Sequence, residues 1–228
     1  MSVSGFNYLF ISIILFCLFF RFGKYAKKDK NQTARDFSFY ALNLGFSFFG
    51  IGIAGILFPQ SSQILNFCLF LTVLFQTIAF AFSGKILFRV LFKKISDWYG
   101  FFIPLFLGMI PVVFALVWKS FPSPELPLGF INWDIHPYTG IARAILILLT
   151  QIPVGLVFFN QLKTILWKNE RFLFLRTLII GCASFFGGIF GIGVVLAHSP
   201  SQMIIVEVSL TISLIILLPL VFLKGLDS

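Results

Sequence analysis

The chain has 228 residues, of which 59% are hydrophobic and 11% charged, and its mean hydropathy is +1.01. A soluble domain carries about 45–50% apolar and about 25% charged residues, so a water-soluble globule is excluded. Disorder is excluded as well, because it needs low hydrophobicity and high charge. The net charge of +9 would point to nucleic acid in a soluble protein, but in a membrane protein it points to the cytoplasmic loops.

A bilayer-spanning helix takes about 20 apolar residues. Seven need about 140, and the remainder suffices for short loops but not for a second folded unit. Residues 1–228 therefore read as a single all-α, polytopic membrane domain of seven transmembrane helices. In chain order the spans fall at about 5–21, 37–58, 63–83, 101–119, 140–160, 175–197 and 202–223. The first, GFNYLFISIILFCLFF, has its basic cluster after the apolar run and no small-residue cleavage site, so it reads as a retained helix rather than a signal peptide. Cys17, Cys68 and Cys182 all lie in apolar stretches without CxxC spacing. Neither a zinc site nor a disulfide framework is indicated, and the three read as packing residues.

The basic residues are placed unevenly. Arg21, Lys24, Lys27, Lys28, Lys30 and Arg35 fall in the first connection, Lys85, Arg89, Lys93 and Lys94 in the third, Lys163, Lys168, Arg171 and Arg176 in the fifth, and Lys224 at the end. Only Lys119 and Arg143 remain for the other side. Such a split fits seven crossings with the N-terminus outside and the C-terminus inside. It also accounts for the charge without nucleic acid. Two stretches, KILFRVLFKKISDWYG and KTILWKNERFLFLR, mix bases with apolar residues. They read as amphipathic extensions lying at the headgroups with their lysines snorkelling, or as a docking face for a cytoplasmic partner. The longest outer connection, SFPSPELPLGFINWDIHPYTG, reads as a lid over a pocket or a plain connector.

Within the spans, Gly50-Ile-Gly52-Ile-Ala-Gly55 spells GxGxxG, but a helix interior cannot supply the strand that a dinucleotide site needs. Ala41 with Gly45, Gly50 with Ala54, and Ala183 with Gly187 and Gly191 have the four-residue spacing of close helix packing. Pro104, Pro111, Pro153 and Pro219 are candidate hinges. Asn43, Gln76 and Gln151 read as partners in interhelical hydrogen bonds. Ionisable groups inside a membrane are costly and are candidates for function. Glu207 on helix 7 and Arg143 on helix 5 lie at similar depth by rise per residue, which predicts a charge pair in an outward-facing polar pocket. His198, Gln151 and the rim residues Lys119, Asp134 and His136 are possible members, and separate snorkelling of the two charges is the alternative. The two histidines cannot assemble a haem pair or a zinc triad, and no GxSxG or HExxH motif occurs. No enzyme activity, cofactor or metal is expected. The segment SFFGIGIAGILFPQSSQIL resembles SFFGGIFGIGVVLAHSPSQMII, as a duplication of helices 2–3 in helices 6–7 would produce.

The layout, with its basic connection RFGKYAKKDKNQTARDFSFYALNLGFSFFG and Ala34-Arg35 leading into helix 2, resembles the seven-helix sensor regions of bacterial histidine kinases. That resemblance implies a receptor-like or regulatory module of the cell membrane. It would bind a small or apolar ligand from outside and signal through its basic loops. The run LKGLDS does not read as the start of a coiled linker to a kinase module, so signalling is expected to use a separate cytoplasmic protein. The alternative is a small-solute transporter of three-plus-one-plus-three helices, similar in length and topology to the SWEET and PQ-loop group. Its Pro59-Gln60 pair lies at an outer turn rather than inside a helix.

Overall fold

A computed structural model describes residues 2–122, 129–165 and 171–222. Its helices are α1 (Val3–Asp29), α2 (Gln32–Leu57), α3 (Ser62–Leu91), α4 (Asp97–Val117), α5 (Pro137–Leu162), α6 (Arg171–Leu196), α7 (Pro200–Ile215) and α8 (Leu218–Phe222). α1 to α6, together with the α7–α8 stretch Ser201–Phe222, make seven segments long and apolar enough to cross a membrane.

Polar residues next to the apolar runs set the starts. Ser2, Asn31 and Ser61 each accept a hydrogen bond from the backbone N–H three residues on, and Ser199 forms a capping box with Gln202. Each such bond satisfies a donor that the first turn leaves open. α1 stops at Lys30, whose φ of 51° lies in the left-handed region.

The basic connections differ from the sequence expectation. α1 runs on through Lys24, Lys27 and Lys28, and only Lys30 and Asn31 separate it from α2. α3 likewise continues through Lys85 and Arg89 to Leu91. Lys and Arg are good helix formers with flexible stems, so charge alone does not end a helix. The expected interfacial helix over 85–100 is therefore the last two turns of α3, a turn, and the start of α4. Lys168 and Lys224 lie outside the described residues, as do residues 123–128 of the proline-rich connection. Pro104, Pro111 and Pro153 sit inside unbroken helices. Only near Pro219 is there an interruption, between Ile215 and Leu218.

Side-chain contacts define the two ends of the bundle. At one end Ser2 donates to the Gly55 carbonyl (2.8 Å), Ser4 to Glu207 (3.0 Å), and the Ser120 backbone N–H to Asn66 (3.1 Å). At the other, Arg89 binds Thr33, Asp36 and Asp97, and Arg21 donates to the Val221 carbonyl. We call these the proline-loop end and the basic end. Neighbour contacts run α1–α2–α3–α5–α6–α7 and return from α7 to α1, while α4 packs only on α3 and α5 among the strongly contacting pairs. The result is a ring of six helices with α4 outside it. Phe106, Leu116 and Ile205 point outward and Ser12, Ser47, Thr72 and Glu207 inward. An apolar exterior around a partly polar interior suits a hydrocarbon solvent.

Glycine permits the closest approaches. A Cβ at Gly84 or Gly100 would strike the facing helix of the α3–α4 pair, and one at Gly52 would lie 2.8 Å from the Leu9 backbone on α1.

Candidate functional site

The ring encloses a cavity of about 720 Å³, counting its opening. Every long helix except α4 contributes to its wall, from Tyr8 on α1 to Leu210 on α7. The wall is largely apolar, with Phe48, Leu69 and Phe80 on it, and its polar groups are few: Tyr8, Tyr40, Thr72, Gln76, Trp133, Arg143 and Gln151.

Arg143 is the charged group of this wall and is 6% exposed. One guanidinium nitrogen, Nη2, donates to Gln76 Oε1 at 2.7 Å. Nε and Nη1 are buried without a hydrogen-bond partner. Lower on the wall, both polar atoms of Gln151 are engaged: its amide N–H donates to Ser83 (3.0 Å) and its carbonyl accepts from Tyr40 (2.9 Å). That pair of bonds ties α2, α3 and α5 together.

Glu207 stands behind the wall, fully buried, and does not pair with Arg143, correcting the expected charge pair. Its Oε2 accepts from Ser4, whose hydroxyl in turn accepts from the Ile131 backbone N–H (3.0 Å). Oε1 has no partner of good hydrogen-bond geometry, although the Asn7 and Tyr8 side chains face the carboxylate. Tyr8 is near enough to both charges to interact electrostatically with each. Similar depth along two helices does not fix which way each side chain faces, and here Glu207 meets Ser4 while Arg143 meets Gln76.

The remaining predicted members are dispersed. His198 is exposed in the α6–α7 turn and does not line the cavity; Lys119 and Asp134 are exposed too. His136 stacks on Trp118 with ring centroids 5.6 Å apart. Asn43 donates to the Phe39 carbonyl of its own helix, so the interhelical bond expected of it is absent.

Trp133 roofs the cavity. The connection before α5 turns inward, burying Phe130, Ile131, Trp133 and Ile135, and the Trp133 ring lies 5.8 Å from that of Tyr8. The connection therefore caps the bundle.

The stripe Ala183, Gly187 and Gly191 also takes a different role. All three line the cavity, and a Cβ at Gly187 or Gly191 would find its nearest neighbour at 3.5 or 3.7 Å. The α5–α6 seam runs instead through Gly155, Gly181 and Gly188, where a Cβ would meet a neighbour at 2.7 to 3.0 Å. Four-residue spacing identifies a face, but not whether helix or void lies opposite.

A second polar cluster lies at the basic end. Asp36, 1% exposed, receives Arg89 at 2.6 Å and Lys85 at 3.5 Å. Arg89 also holds Asp97 and Thr33, and the Lys85 ammonium lies 3.8 Å from the centroid of the Trp98 ring. Lys85 is buried rather than snorkelling, and the cluster joins α2, α3 and α4. Sequence reasoning overlooked Asp36. The signal available was Lys85 and Arg89 at i and i+4, which share one face of a helix and require an acid opposite if that face is inward.

Among the described residues, no group of three or more His, Cys, Asp or Glu could hold a metal ion. The chain matches no protein-family model, no curated protein and no solved structure. The likeness to histidine-kinase sensor regions thus rests on topology alone.

Proposed function

We propose that the chain is a multi-pass cell-membrane protein, N-terminus outside and C-terminus inside, which binds a small ligand in the ring cavity from the proline-loop end. It acts as a receptor-like or regulatory module rather than as an enzyme. The observation that carries this reading is Arg143, a buried guanidinium with two unpaired nitrogens, on a residue that lines an otherwise apolar cavity. An uncompensated buried charge costs several kcal/mol, and a carboxylate on a short apolar body would offset that cost. The cluster on Asp36 ties α2, α3 and α4 together at the basic end, which suits a sensor whose pocket opens at the other end. Basic surface such as Lys93 and Lys94, exposed in the α3–α4 turn, then faces a cytoplasmic signalling partner.

A series of straight-chain carboxylates from acetate to octanoate, with the matching alcohols as controls, tests the pocket by thermal shift of the purified chain. A rise in Tm with carboxylates only, lost in Arg143→Gln, supports the reading. Equal response to the alcohols, or none to any member, removes it.

The interruption between Ile215 and Leu218 favours a second reading, since broken helices occur at transporter sites. Cysteines placed at positions 76 and 151, in a chain freed of its native cysteines, separate the two. Labelling from both faces indicates transport; labelling from the proline-loop face alone indicates sensing.

A further inference from the structure

We propose that the outer groove between α1 and α2 at the basic end is a binding site for one phospholipid with an anionic headgroup; this rests on the membrane reading above. The groove encloses about 1040 Å³, counting its open side. Lys24 and Lys27 stand one helical turn apart on its α1 wall, and Arg35 faces them from α2. No carboxylate lines it among the described residues; Arg35 touches Asp36 only through Nε at 4.0 Å, and that acid is held more closely by Arg89 and Lys85. Below the three cations the walls are Phe20 and Phe39, both exposed, and Gly23, where a Cβ would lie 3.4 Å from the Ser38 hydroxyl.

The depth fits a lipid. α1 has 27 residues and so runs about 40 Å, about 10 Å more than the hydrocarbon core. If its start lies near the opposite interface, its last turns stand among the headgroups while Phe20 remains in hydrocarbon. One molecule can then place a phosphate between the cations and an acyl chain along the phenylalanines. A soluble phosphate would satisfy the cations but leave the apolar walls uncovered, so the assigned occupant is the lipid.

The full chain is first reconstituted into neutral phosphatidylcholine bilayers. Failure to insert would overturn the membrane reading and this proposal with it. The inserted chain is then extracted in mild detergent and titrated with phosphatidylglycerol or phosphatidylcholine, and retained lipid is counted by native mass spectrometry. One phosphatidylglycerol per chain is expected, preferred roughly tenfold or more over phosphatidylcholine. Lys24→Gln, Lys27→Gln and Arg35→Gln together should abolish the preference, whereas Lys93→Gln with Lys94→Gln should leave it. Equal retention of both lipids, loss equal in the two variants, or displacement by millimolar inorganic phosphate alone would overturn the proposal. Should the triple variant not fold, a photoactivatable phosphatidylglycerol on the wild-type chain decides. Label confined to peptides containing Phe20 and Phe39 supports the site, and label spread over the exterior overturns it.

Discussion

Lys85 and Asp36 stand 3.5 Å apart with both side chains almost wholly withdrawn from solvent. Arg89 reaches the same carboxylate from one turn further along α3, so the acid on α2 is shared by these two cations, with the exposed Arg35 at 4.0 Å as a third and weaker partner. In a low-dielectric interior the members depend on one another: removing one partner leaves an uncompensated charge and typically costs about 3–5 kcal/mol.

Asp36→Ala is therefore expected to destabilise the chain by about 3 kcal/mol or more, read as a lower melting temperature in detergent. Asp36→Asn should do nearly as much harm, because the amide keeps the shape but not the charge. Replacing Lys85 with Met should cost less, since Arg89 still neutralises Asp36. A small effect of Asp36→Ala would mean that the cluster is solvated.

The glycines divide into two classes with opposite expectations. Gly84→Ala drives a methyl into the Gly100 carbonyl, and overpacking of this kind costs roughly 1–3 kcal/mol. Gly50 has nothing within 4 Å of a Cβ position, so Gly50→Ala should be neutral or stabilising by up to about 1 kcal/mol. Gly187→Ala should leave folding intact while reducing the cavity. Thermal unfolding of the three variants checks the order, and equal losses would contradict the packing described.

Seven apolar stretches and a one-sided distribution of Lys and Arg are properties of the chain itself, and the helices could be counted from them. Orientation around each helix is a property of the assembly. Rise per residue puts Glu207 and Arg143 at similar depth, but they meet different partners, Glu207 the hydroxyl of Ser4, 203 positions away in sequence, and Arg143 the side chain of Gln76. Ala183, Gly187 and Gly191 were legible as one small-residue face, yet the void opposite them depends on how six helices close a ring. Lys85 and Arg89 resembled surface bases because the acid that buries them comes from a different helix.

Glu207 serves as an acceptor that fastens α7 to α1 and, through Ser4, to the cap. Glu207→Gln retains an oxygen for the Ser4 hydroxyl and should lower stability only slightly. Glu207→Ala leaves Ser4 without that acceptor and opens a void, at a cost of about 2 kcal/mol or more. Paired melting curves test this. If Gln is as damaging as Ala, the charge of Glu207 rather than its hydrogen bond carries the role.

Trp133 closes the cavity by burying its ring against Tyr8, while its indole N–H has no partner of good hydrogen-bond geometry, although the Tyr8 hydroxyl is near it. Its hold is thus chiefly one of area. Trp133→Ala removes a large buried side chain, which costs about 3–5 kcal/mol where the surroundings do not relax. Much of that loss is expected to fall on the cap, because the helices below keep their own seams. A cysteine at position 76 should then react with a membrane-impermeant maleimide from the proline-loop end roughly tenfold faster than with Trp133 present, as follows if the cap opens with a free energy about 1.4 kcal/mol lower. Trp133→Phe should restore most of the protection. Unchanged labelling in Trp133→Ala would show that the cavity is open whether or not the indole is there.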